Sequence, residues 1–120
     1  MSETKQAIHR IITTYNSTGQ KHGLSQSWRK DGTKKDSIVY TNGDMTEVRT
    51  YYTDGSQRMW EKYKNDKLWS GVYHGPDGKK TGVVIRGNGE CVLFDEEGEY
   101  ASRRVYENGV KVEEVWLEEE

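Results

Sequence analysis

The chain has 120 residues, 32% of them apolar and 32% charged, with 18 basic and 20 acidic side chains and a net charge of −2. One domain over 1–120 follows from the length, and the low apolar fraction excludes a large closed core in favour of a thin sheet with one face in water. The balanced charge argues against nonspecific nucleic-acid binding, which needs a basic face.

Residues 1–6 are polar and expected to be flexible. They offer no apolar run for a signal peptide or a membrane span, so a soluble, cytoplasmic protein is expected. The single cysteine, Cys91, excludes an internal disulfide and a zinc cluster, which agrees with a reducing compartment. In Ala7-Ile-His-Arg-Ile-Ile-Thr-Thr-Tyr15, Ile8, Ile11, Ile12 and Tyr15 fall at helical spacing. The β-branched and aromatic run Ile-Ile-Thr-Thr-Tyr nevertheless favours a strand.

From there on, turn signals recur. Asp31-Gly32, Asn42-Gly43, Asp54-Gly55, Asn65-Asp66, Pro76-Asp77-Gly78, Asn88-Gly89, Glu97-Gly98 and Asn108-Gly109 separate short runs rich in Val, Thr, Tyr and Trp. The turn positions Gly32, Gly43, Gly55, Asp66, Gly78 and Gly89 are spaced by 11, 12, 11, 12 and 11 residues, so a unit of 23 residues is one hairpin long. The pattern predicts an all-β fold: an antiparallel meander of about ten short strands in an open twisted sheet of repeated hairpins, ending near Leu117 before a solvated tail, 118–120. Steps of 11 and 12 cannot all hold two-residue turns, so some turns must carry a third residue or a bulge.

An aromatic residue precedes most turns, as in Tyr40-Thr-Asn-Gly43 and Tyr52-Thr-Asp-Gly55, and a Gly opens some strands, as in Gly23-Leu-Ser-Gln-Ser-Trp28 and Gly82-Val-Val84. On these residues the chain resembles the bacterial variant of the MORN repeat over roughly residues 8–117. Asn65-Asp66, which lacks the Gly, and Tyr73, which stands farther from its turn, depart from the pattern. The resemblance implies an open sheet of consecutive hairpins and a binding role. Many bacterial members carry an antitoxin-like label.

Two-residue turns set cross-strand pairs. At Asp54-Gly55 they give Tyr51/Arg58, Arg49/Trp60 and Glu47/Lys62 on one face, and Thr50/Met59 and Val48/Glu61 on the other. At Asn108-Gly109 they give Val105/Val112, Arg104/Glu113 and Arg103/Glu114. At Asn88-Gly89 they pair Ile85 with Val92, Val84 with Leu93 and Val83 with Phe94, which makes both faces of that hairpin apolar. One face can meet the core. The other needs a cover: a curl of the sheet, a second copy of the chain in a homodimer, or a partner.

No catalytic set is visible. His9, His22 and His74 are far apart and fit surface or turn positions better than a metal or acid/base site. Cys91 reads as a strand-core residue rather than a nucleophile. Gly87-Asn-Gly89 and Gly75-Pro-Asp-Gly78 lack the following helix of a phosphate loop. Glu96-Glu97 and Glu113-Glu114 fall in a turn and a strand of a sheet with no obvious cleft in the sequence pattern, and Lys34-Lys35 and Lys79-Lys80 suit solvated edges. No cofactor or metal is expected. The exposed aromatics with arginine, Arg49, Tyr51, Arg58, Trp60 and Trp69, are the residue types that dominate binding hot spots and form the candidate partner-binding face. The expected function is that of a non-enzymatic protein that neutralises or sequesters another protein, as an antitoxin, immunity protein or phage-encoded inhibitor does. Alternatives are a self-associating scaffold and a lipid- or nucleic-acid-binding module.

Overall fold

The computed structural model describes residues 8–116, with no side-chain detail for Ile8 and His9; the tails expected to be flexible, with Leu117, lie outside the described residues. Among the described residues ten strands follow one another without a helix: β1 (Ile8–Ile12), β2 (Gly23–Arg29), β3 (Lys34–Thr41), β4 (Asp44–Tyr51), β5 (Gln57–Lys64), β6 (Lys67–His74), β7 (Lys80–Ile85), β8 (Asn88–Phe94), β9 (Tyr100–Glu107) and β10 (Val110–Trp116). They form one antiparallel sheet in sequence order, as the turn pattern predicts. The ambiguous N-terminal run is strand β1, prolonged by an isolated bridge between Tyr15 and Lys21.

The two ends of the sheet use different turns. At one end Asn42-Gly43, Asn65-Asp66, Arg86-Gly87 and Asn108-Gly109 have positive φ at both positions, the two-residue type I′ geometry that matches strand twist. At the other end Lys30-Asp31-Gly32, Thr53-Asp54-Gly55, Pro76-Asp77-Gly78 and Glu96-Glu97-Gly98 are three-residue loops. The Asp54 loop is typical: Gly55 N–H donates to the Tyr52 carbonyl (2.9 Å), Tyr52 N–H donates to the Ser56 carbonyl (2.8 Å), and Asp54 Oδ1 accepts from Ser56 N–H (2.9 Å). The third residue required by the spacing therefore lies at the Asp end. There it shifts the register by one residue, so Tyr51 pairs with Gln57 and not with Arg58, while the pairs from Thr50/Met59 to Glu47/Lys62 stand as predicted. A further bulge at Val112 moves Glu113 opposite Val105 and Glu114 opposite Arg104, one step from the predicted pairs.

One turn lies elsewhere than the spacing predicts. β7 and β8 are joined by Arg86-Gly87, not Asn88-Gly89, so Gly82 pairs with Cys91, Val83 with Glu90, Val84 with Gly89 and Ile85 with Asn88. This register sets small against large. A Cβ on Gly82 would run into Cys91, and one on Gly89 into the Val83 carbonyl. The alternative would crowd Val83, Val84 and Ile85 against Val92, Leu93 and Phe94. The outer face of this hairpin is consequently mixed rather than apolar. Val83 faces Glu90, Val92 faces Arg103, Arg103 pairs with Glu90 (3.4 Å), and Ile85 is 62% exposed.

The inner face carries the core. Across the strands one row runs Ile38, Val48, Glu61, Gly71, Val84, Gly89, Tyr106, and the next runs Asp36, Thr50, Met59, Tyr73, Gly82, Cys91, Arg104. Leu68, Tyr73, Val84, Cys91, Leu93 and Tyr106 form one buried cluster against which Met59 and Tyr63 pack. A single sheet has no second layer to cover this face, so it curls over itself. Arg58 of β5 donates to the Phe94 carbonyl of β8 (3.0 Å), and Leu68 N–H at the start of β6 donates to the Gly109 carbonyl (3.2 Å). Val84 and Leu93, expected at an interface that needs a cover, are buried by this curl.

Tyr73 lies across Gly71, where an added Cβ would stand 2.5 Å from its hydroxyl oxygen and 2.8 Å from its ring. Replacing Gly71 by Ala overpacks this contact and should destabilise the chain by about 1–3 kcal/mol, read as a lower urea midpoint at unchanged slope. The Tyr73 hydroxyl donates to Glu61 (2.6 Å), as does that of Tyr63 (2.8 Å). Burial, then the Glu61 charge, pushes both phenols well above the ordinary tyrosine value. Their contribution to stability is complete below about pH 10, the unfolded value, and falls above it, because the unfolded chain ionises first. Stability should therefore drop more steeply between pH 9 and 11 in the wild type than in Tyr63→Phe/Tyr73→Phe, measured by urea unfolding at each pH.

Candidate functional site

The residues expected to share one partner-binding face occupy three places. On the outer face Arg49 stacks on Trp60, its guanidinium carbon 3.9 Å from a ring centroid, and the Lys62 ammonium lies 5.0 Å from a centroid of the same indole. Strands β4 and β5 set this pair directly across from each other. Trp60 Nε1 donates to Glu47 Oε2 (2.6 Å), and the same oxygen lies 3.5 Å from Arg49 Nε. Cation over ring, ring N–H to carboxylate and carboxylate to cation close a loop that holds an aromatic platform flat on the sheet. Tyr51 stands apart, with Lys34 6.0 Å from its ring.

Arg58 belongs to the inner side. Being the extra residue of the β4–β5 bulge, it is re-aimed toward β8 and lines a cleft of about 330 Å³ with Lys35, Asp36, Thr50, Tyr51, Asp95 and Glu96. Beside this cleft lies a cluster that the sequence pattern does not reveal. Arg29, whose side chain is fully buried, donates to the carbonyls of Lys34 (2.8 Å), Tyr51 (2.7 Å) and Tyr52 (3.3 Å) and to Glu96 Oε1 (2.7 Å). Lys35 Nζ reaches the same carboxylate at 3.1 Å, and the Glu96 carbonyl accepts from Thr53 N–H (3.1 Å). Partial burial pushes the Glu96 carboxyl up, but the hydrogen bonds from Arg29 and Lys35 outweigh it and hold it below the ordinary value. The cluster ties three Asp-end loops together. Its signal is weak in sequence because the partners are 67 residues apart.

Trp69 lies at the opposite end. It is the bulged residue between the Tyr63/Leu68 and Lys62/Ser70 pairs, 42% exposed, with the Lys64 ammonium 4.7 Å from its ring centroid. It opens on a cleft of about 430 Å³ formed by the β5–β6, β7–β8 and β9–β10 turns, lined by Lys64, Lys67, Trp69, Arg86 and the backbones of Gly87 and Gly109.

Groups with catalytic potential are tied up or scattered. Cys91 is buried, and burial, then the Glu61 charge, pushes its thiol up to about 11. Glu61 is 3% exposed and held by two tyrosine hydroxyls. His22 Nδ1 accepts from Asn42 N–H (3.0 Å), which gives it a turn-bracing part. Among the described residues no group of three or more His, Cys, Asp and Glu is placed to hold a metal ion, and no helix is long and apolar enough to cross a membrane.

Comparison with known proteins adds little. No family model and no curated protein matches the chain. One solved structure, a GtfA/B complex bound to UDP and GlcNAc, overlaps 80% of this chain and 19% of its own at 11% identity and a TM-score of 0.37. This chain thus spans about a fifth of that one, and so low a score carries no argument.

The two arginine sites should respond to substitution with costs of different size. Arg49→Ala and Trp60→Ala remove a solvated pair and should each cost under about 1.5 kcal/mol. Arg29→Ala leaves the carbonyls of Lys34, Tyr51 and Tyr52 without this buried donor and Glu96 with Lys35 alone, and should cost about 3–5 kcal/mol. Chemical denaturation of the three variants compares them.

Proposed function

We propose that this chain is a non-enzymatic binding module that docks a partner protein on the outer face of its sheet and neutralises or sequesters it, in the manner of an antitoxin, an immunity protein or a phage-encoded inhibitor. The observation that carries this reading is the Arg49–Trp60 platform, pre-set by Glu47 and flanked by Lys62. Its residue types are those enriched in binding hot spots, and little side-chain entropy remains to be lost on docking because the platform is already ordered. The occupied Glu61 and the raised Cys91 thiol support a role without chemistry. The free, buried Cys91 accords with a cytoplasmic setting. The resemblance to bacterial MORN-variant repeats, drawn from the turn residues, points the same way.

Self-association is a second reading, favoured by β10. This strand ends the sheet order, and Val112, Val115 and Trp116 on it are 52%, 45% and 59% exposed. An apolar edge strand is a template for strand addition.

Affinity capture with wild type and an Arg49→Ala/Trp60→Ala variant, followed by mass-spectrometric identification, separates the readings. A defined protein retained by wild type and lost by the variant supports docking on the outer face. Equal retention by both sinks that face as the site. Recovery of only the chain itself favours self-association.

A further inference from the structure

The cleft at the Asn end breaks three local rules that the rest of the sheet keeps. Type I′ turns favour Asn then Gly, and Asn42-Gly43 and Asn108-Gly109 obey. The two turns whose strands supply the cleft's cations do not. In Arg86-Gly87 an arginine sits at φ 51°, and in Asn65-Asp66 an aspartate sits at φ 65°. Arginine gains nothing locally in the left-handed region, where asparagine is the better-tolerated side chain. The strand residues flanking the second turn are Lys64 and Lys67, which face each other directly across the hairpin, and like charges so placed repel. Local choices that oppose the fold concentrate at functional sites.

All three cations line the same cleft. Among the described residues no Asp or Glu lines it, and neither Lys67 nor Arg86 is engaged by a carboxylate. Trp69 is aimed there by its bulge, and its carbonyl accepts from Gly87 N–H (2.8 Å), which fixes the floor. The charge is local. Asp66 lines the neighbouring cleft, and Glu107 adjoins Asn108 in the chain. A phosphate backbone needs a continuous basic track, which this cleft does not provide, whereas a compact cluster of carboxylates with an apolar neighbour needs only such a pocket.

We propose that this cleft receives an acidic segment of a partner protein, its carboxylates paired with Lys64, Lys67 and Arg86 and an adjoining apolar or aromatic side chain set against Trp69. The assignment rests on the reading of the chain as a protein-binding module and adds the chemistry of what is bound, at a place distinct from the Arg49–Trp60 platform.

Arg86→Asn and Lys67→Glu test it. Both relieve an unfavourable local arrangement, so both should melt at or above the wild-type temperature. Each should nevertheless weaken binding of a short fluorescein-labelled peptide of alternating Asp, Phe and Glu by about tenfold at low salt, since charge-assisted contacts of this kind are worth that much or more. Fluorescence anisotropy reads the affinity, which should fall further as salt rises. No binding of the peptide by wild type overturns the proposal. So does affinity indifferent to both substitutions, or tighter binding of an oligothymidylate or of phosphatidylserine vesicles through the same residues. Lower melting temperatures of both variants would assign these residues a structural part and overturn it as well. Absent peptide binding with capture through Arg49 and Trp60 intact removes the cleft assignment alone. Peptide binding with capture unaffected by Arg49 and Trp60 upholds the cleft and removes the outer-face reading.

Discussion

The contact between Tyr73 and Gly71 is the constraint that the rest of the sheet serves. A one-layer sheet has no opposing layer, so its inner face stays dry only if large side chains lie flat over places with no side chain. Tyr73 does this over Gly71, and its hydroxyl ends on Glu61 of the neighbouring strand β5. The same division of large and small repeats where Gly82 meets Cys91. A buried carboxylate is costly without donors, and two tyrosine hydroxyls meet that need while their rings exclude water. Polar and apolar parts of the core are therefore inseparable: the residues that shield the inner face also satisfy its one charged member in this row.

Much of the architecture was legible because turn chemistry is local. Asn-Gly and Asp-Gly mark where a turn falls, so the meander, the strand order and the β4–β5 pairs from Glu47/Lys62 to Thr50/Met59 could be read directly, but not the pairing of Tyr51 next to the turn. Face assignment followed from alternation, which placed Val48 and Glu61 opposite Arg49 and Trp60. Reading failed where two turns compete. Ile85-Arg-Gly-Asn-Gly89 contains two dipeptides ending in glycine, and local preference favours Asn88-Gly89, yet packing of Gly82 and Gly89 selects Arg86-Gly87. It failed again for Arg58, because a bulge reverses the face of the residue it adds.

The interaction residues were only partly legible for a related reason. Arg49 and Trp60 are cross-strand neighbours, and register alone brings them together. The Arg29–Glu96 cluster and the cleft beside Trp69 arise from the curl, which brings nonadjacent turns together. Pairing rules describe neighbouring strands and contain no information about curvature. The departure from Asn-Gly at Asn65-Asp66 was visible in the sequence, whereas Arg86-Gly87 was hidden behind the stronger Asn88-Gly89 signal.

The curl also bears on how such a chain can change in length. Gly87 N–H donates to the Trp69 carbonyl, Gly109 N–H to the Gly87 carbonyl, and Leu68 N–H to the Gly109 carbonyl, so the last turn returns to the start of β6. Arrays of repeats that touch only their neighbours can gain or lose a unit by duplication or deletion. Between β6 and β10 this one cannot, because an added or missing hairpin would carry Gly109 away from Leu68 and open the ring of turn amides. The bonds from Arg29 and Thr53 to Glu96 fasten the β2–β3 and β4–β5 loops to the β8–β9 loop in the same way, so the strands from β2 to β10 behave as a closed unit of fixed size.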